Sequence, residues 1–124
     1  MSFTVRFSPW LRPLFVLLGM APRRSEVTVG EDSIQVRLGW AFRAEVPIAS
    51  VRSVSRTPDV WWAVGVHTDM RGRWIVNGSP RGMVAFELDP AVRGRGIGLG
   101  VRIRRLLLSL EEPDAFVEAV RRAA

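Results

Sequence analysis

A chain of 124 residues, 48% apolar and 24% charged, suits one folded domain with a core of its own. It holds no cysteine, which excludes disulfides, thiolate metal sites and thiol catalysis. The net charge is +6, and all eighteen basic residues are arginine, whose planar fork of donors suits phosphates, carboxylates and aromatic faces. A coding bias competes as the explanation, since alanine, valine and glycine are plentiful while lysine and tyrosine are missing.

At the start, Phe3, Val5 and Phe7 alternate with Thr4 and Arg6, the pattern of a short half-buried strand. The apolar run Leu14 to Ala21 that follows is too short to span a bilayer. Arg6, Arg12 and the Gly19-Met20-Ala21 triplet sketch a signal peptide, but Arg12 and Pro13 interrupt it and Pro22 would follow the cut. The expectation is therefore a cytoplasmic protein, at most membrane-associated, and not a secreted one. Residues 1–24 would form a strand plus an apolar segment that packs on a domain of residues 25–124 or touches a membrane.

From Ser25 the chain reads as β. Val27 and Val29 precede a turn at Gly30-Glu31-Asp32, and Ile34, Val36 and Leu38 alternate with polar residues. Phe42 to Val46 returns, Pro47 ends that strand because it cannot donate to a ladder, and Val51 to Ser55 resumes the sheet. Val60 to Val66 is apolar on both faces, so one of Trp61 and Trp62 must point away from the interior. The N-terminal segment, or a second copy in a homodimer, would cover it.

Asp69 to Gly72 reads as a turn, Arg73 to Val76 as a strand, and Asn77-Gly78 as a strong short hairpin signal before the strand Gly82 to Leu88. A looser segment with glycines at 94, 96, 98 and 100 follows. In the strand Val101 to Leu110, Val101 and Ile103 have one parity and Leu106, Leu108 and Leu110 the other. A bulge near Arg104-Arg105 would bring all five to one face. Residues 113–123 form an amphipathic helix with Pro113 at its first position and Phe116, Val117, Val120 and Ala123 in one stripe. The expected fold is mainly β: a small barrel or orthogonal sandwich of about seven strands closed by that helix.

This order resembles the pleckstrin-homology-like fold in its bacterial form. Asp32 to Arg37 followed by Phe42 to Val51 looks like the second and third strands, and Leu108 to Val117 like the last strand entering the capping helix. Gly39 to Arg43 and Arg71 to Ser79 are similar to small actinobacterial proteins of unknown function. The resemblance implies the fold and brings no catalytic residues. The loop that is basic in inositol-phosphate binders is Gly30-Glu31-Asp32 here, which would repel a phosphate.

Candidate chemistry is sparse. His67 and Asp69 could share a strand face, yet no nucleophile motif accompanies them, and a metal site would need a third ligand such as Asp59. The glycine run leads into a strand pattern and not the helix a dinucleotide fingerprint requires. No catalytic residue, metal ligand or cofactor is expected. Arg71, Arg73, Trp74 and Asn77 are the candidate partner-binding residues, on a hairpin surface. Arg93, Arg95, Arg102, Arg104 and Arg105 are the candidate anionic-surface residues, with a merely solvated strand face as the alternative. The leading expectation is a non-enzymatic interaction module that binds a protein partner or itself near the membrane. The alternative is a basic surface that binds anionic lipid or, less favoured, nucleic acid.

Overall fold

The computed structural model describes residues 2–7, 25–39, 41–58, 65–68, 71–79, 81–96 and 99–123. Nine strands occur among them: β1 (Ser2–Thr4), β2 (Ser25–Val29), β3 (Ser33–Leu38), β4 (Phe42–Pro47), β5 (Val51–Arg56), β6 (Gly65–Thr68), β7 (Arg73–Asn77), β8 (Met83–Gly96) and β9 (Leu99–Ser109). One helix, α1 (Pro113–Ala123), follows. The architecture is mainly β with a C-terminal helix, as the alternation of apolar residues anticipates.

Strands β1 to β4 form an antiparallel meander. Period-2 alternation fixes its faces: Ile34, Val36, Leu38, Phe42, Ala44 and Val46 are buried, while Gln35, Arg37, Arg43 and Glu45 point out. Beyond the meander, β8 pairs on one flank with two strands in succession. Phe42 to Ala44 of β4 lie against Gly94 to Gly96, and after a 3-10 turn at Ile48–Ser50, β5 lies against Val84 to Leu88. The β8 ladder is irregular between Glu87 and Val92, so the turn and the irregularity fall at the same stage along β8. The glycine-rich segment is thus no loose loop. Its described residues belong to β8 and β9, which pair down to Gly96 and Leu99.

The other flank of β8 belongs to β9, which pairs in parallel with β7, and β6 lies outermost. This overturns the expected Asn77-Gly78 hairpin, because β9 intervenes between β7 and β8. Gly78 is required for a different reason: a Cβ there would collide with the Phe7 ring. Its N–H donates to Ser109 Oγ (3.0 Å), and that hydroxyl donates to the Arg6 carbonyl (2.9 Å). The chain between β7 and β8 therefore passes the end of β9 and is held there. With β6 and β1 as outer strands, the sheet does not close into the expected barrel. Short of strand pairing, the N-terminal chain is tied to the ends of β9 and β7 by the isolated bridges Val5 to Leu110 and Phe7 to Gly78.

The phase slip in β9 is present. Ile103, Leu106, Leu108 and Leu110 are all fully buried in one core, with Val101 packed against it. The amides of Arg104 and Arg105 both donate to the Gly72 carbonyl, at 2.7 and 3.0 Å, where the extra residue is absorbed. Helix α1 buries Phe116, Val117, Ala119 and Val120. The Phe116 ring meets Phe3 edge-on at 5.1 Å and Phe86 at 5.4 Å, joining the first strand, the central strand and the helix. Polar contacts fix the helix ends: Arg56 pairs with Asp114 at 3.0 Å, and Arg121 donates to the Val54 carbonyl at 3.2 Å. Among the described residues no helix is long and apolar enough to cross a membrane.

Removing the Phe116 ring should therefore cost far more than any surface change on the same helix. Phe116→Ala is expected to lower stability by about 3–5 kcal/mol, read as a shifted denaturant midpoint at unchanged slope. Glu118→Ala, which loses only an exposed pair with Arg122 at 3.3 Å, should shift it by about 0.5 kcal/mol or less.

Candidate functional site

Strand alternation sorts the arginines onto the outer face of the sheet. In β8 the inward positions are Val84, Phe86, Leu88 and Val92, which leaves Glu87, Arg93 and Arg95 exposed. In β9, Arg102 and Arg104 are exposed beside the buried Ile103, and the bulge leaves Arg105 half-buried next to them. In β7, Arg73 is exposed while Trp74 and Val76 face the core.

Register then sets like charges side by side. Arg37 faces Arg43, Arg43 faces Arg95, Arg93 faces Arg102, and Arg73 faces Arg105, each on a neighbouring strand. Neighbouring strands lie about 4.7–4.9 Å apart, and like charges directly opposite destabilise a sheet. Compensation is thin. Glu26 reaches Arg37 at 3.8 Å, but among the described residues no carboxylate lies within ion-pair distance of Arg43, Arg93, Arg95, Arg102, Arg104 or Arg105.

Between β7, β8 and β9 the face is indented by an open cleft of ≈ 1170 Å³. Arg71, Arg73, Arg93, Arg102, Arg104 and Arg105 line it, and Arg52 enters from β5. Among the described lining residues Glu87 and Asp89 are the only carboxylates, and Asp89 is engaged by Arg52 at 3.1 Å. Arg105 has its Nε buried with no hydrogen-bond partner, an unsatisfied charged donor at the cleft. A smaller depression of ≈ 370 Å³ adjoins through Arg93 and holds Arg37, Arg43 and Arg95.

The expected sites are thus rearranged. Of the residues proposed for a hairpin recognition surface, Trp74 and Asn77 are turned into the interior, Asn77 completely and Trp74 all but a small part. The Trp74 ring is 6% exposed, lies 5.8 Å from Phe42, and donates from Nε1 to the Arg102 carbonyl at 3.3 Å. Gly96 lies beneath that ring, and a Cβ there would come within 2.7 Å of it. Asn77 is fully buried, donating to the Ser79 carbonyl at 3.1 Å where the chain turns past β9. The alternation that exposes Arg73 drives Trp74 inward. Arg71 and Arg73 join the cleft instead, where they meet four of the five residues proposed as an anionic surface; Arg95 belongs to the adjoining depression.

Sequence reasoning did not include Arg37, Arg43 or Arg52. The outward parity of Arg37 and Arg43 in clear alternating strands was the available signal, while the place of Arg52 depends on β5 reaching β8. His67 is exposed on β6 opposite Ile75. Asp59, Trp61, Trp62 and Asp69 lie outside the described residues, as does the apolar segment 8–24. Among the described residues no group of three His, Cys, Asp or Glu side chains could hold a metal ion.

No protein-family model, curated protein or solved structure matches the chain.

Trp74 and Arg73 should separate cleanly on substitution. Trp74→Ala is expected to destabilise the protein by about 3–5 kcal/mol in chemical denaturation. Arg73→Ala should stay within about 0.5 kcal/mol of the parent. Equal losses for the two would contradict the inward placement of the tryptophan.

Proposed function

We propose that this chain is a non-enzymatic binding module whose ligand carries several phosphates or comparable anions, held in the arginine cleft. The observation that carries this reading is the register: arginine faces arginine across four pairs of neighbouring strands, and two of those pairs, Arg43 with Arg95 and Arg93 with Arg102, have no carboxylate within ion-pair distance among the described residues. A face that serves only to stay hydrated gains nothing from such juxtaposition, because interspersed charges hydrate equally well and repel less. A polyanion turns the repulsion into binding energy, and arginine's fork matches phosphate oxygens in pairs. The broader expectation of a protein-binding or self-associating module narrows accordingly to an anionic partner. Mixed composition at the ends of the face, with Glu26 and Glu45 near Arg37, gives the binding region a boundary.

The same proposal includes a pleckstrin-homology-like ancestry for the fold, supported by the meander of β2 to β4 and the terminal helix. The open sheet departs from that pattern, and the ligand surface proposed here is the outer sheet face, not the acidic Gly30-Glu31-Asp32 loop.

Inorganic polyphosphate is a suitable first probe. At low salt it should raise the melting temperature, with a stabilisation of about 2.7 kcal/mol at a hundredfold excess over Kd, and the gain should shrink as salt increases. Arg93→Glu places an opposite charge against Arg102. It should raise stability without ligand by about 0.2–1 kcal/mol while weakening polyphosphate binding. A parent protein whose melting point ignores polyphosphate at low salt would rule the reading out.

A further inference from the structure

The arginine cleft continues into a surface of different character. Leu99, which opens β9, is 70% exposed and is the one large hydrophobic side chain left exposed among the described residues. It lines a second depression, of ≈ 590 Å³, together with Trp74, Gly96 and Val101. Arg71, Arg102 and Arg104 line that depression as well as the arginine cleft, so the charged and apolar surfaces are contiguous. In sequence, no charged residue falls between Arg95 and Arg102.

We infer that the anionic partner is the surface of a bilayer containing acidic phospholipids, with the cleft arginines on the headgroup phosphates and Leu99 entering the acyl boundary. This rests on the anion-binding reading above and names its ligand. A polyanion free in water would use the arginines and leave Leu99 idle. Single-stranded nucleic acid binds through rings on which bases stack, and among the described residues the aromatic side chains next to this face, Phe42 and Trp74, are buried. An acidic bilayer supplies both components at the right relative depth: phosphates at the level of the charged groups, and hydrocarbon a few ångströms beyond. Arginine stems also tolerate that boundary, because their methylenes pack on apolar surface while the guanidinium stays with the phosphates.

The test uses the whole chain in vesicle co-sedimentation. One arm uses phosphatidylcholine vesicles containing phosphatidylglycerol and another uses phosphatidylcholine alone. Inorganic polyphosphate and a single-stranded oligonucleotide serve as soluble ligands. Binding is expected on the acidic vesicles and not on the neutral ones. Leu99→Ser should weaken vesicle binding by about tenfold or more while leaving polyphosphate affinity unchanged. The double variant Arg102→Glu, Arg104→Glu should lose both. If the parent binds polyphosphate but not acidic vesicles, binds the oligonucleotide more tightly than the vesicles, or keeps its vesicle affinity in Leu99→Ser, the bilayer inference is wrong and anion binding stands. If neither vesicles nor polyphosphate bind at low salt, both fail together.

Discussion

The structure depends on β8 being shared. One strand of fourteen residues accepts β5 along its first half, β4 along its second half, and β9 along most of its other flank. Without it the N-terminal meander and the β6, β7, β9 group would be separate sheets, each with an unsatisfied edge. The chain can use a single strand this way because β4 and β5 run in the same direction, separated by the turn at Ile48–Ser50, and β8 departs from regular pairing over the same interval. Pro47 and Pro90 both fall near this change, at positions where a ladder amide is dispensable.

Sharing a strand also explains how so many arginines come to one place. β8 and β9 are long, and every second residue of each must face outward. Side chains of β4 and β3 continue that face on one side and those of β7 on the other. Arginines from residue 37 to residue 105 thus converge although they are scattered along the chain. The buried side is conventional in composition, aliphatic and phenylalanine-rich, so the unusual chemistry is confined to one layer. The face has a concentrated positive potential, with Arg105 contributing a buried donor that finds no partner in the protein.

Local pattern made much of this readable. Strands β2 to β5, the helix and the bulge in β9 follow from alternation, proline placement and a change of parity, all of which act over a few residues. What failed was non-local. Asn77-Gly78 looks like a hairpin because that dipeptide suits tight turns, but a short-range signal carries no information about β9 inserting between β7 and β8. The expected barrel fails for the same reason: closure is a matter of which edges meet, and the parallel β7–β9 pairing decides that. Trp74 is expected on a hairpin surface, yet the alternation of Arg73, Trp74, Ile75 and Val76 sets it on the inner face. The cleft itself was half legible. Both groups of arginines stood out in sequence, and only the register between strands shows that they belong together.

The Phe3, Phe86 and Phe116 contact has a kinetic side. Its three rings come from β1, β8 and α1, elements far apart in sequence, so this part of the core cannot assemble until all three have been made. Closing such separated segments carries a large loop entropy and slows folding relative to a helical bundle of equal length. During synthesis the meander of β1 to β4 would emerge with one apolar face uncovered and its β4 edge unmatched, and it would stay so until β8 followed. Until then its uncovered face and open edge are exposed to association with other nascent copies.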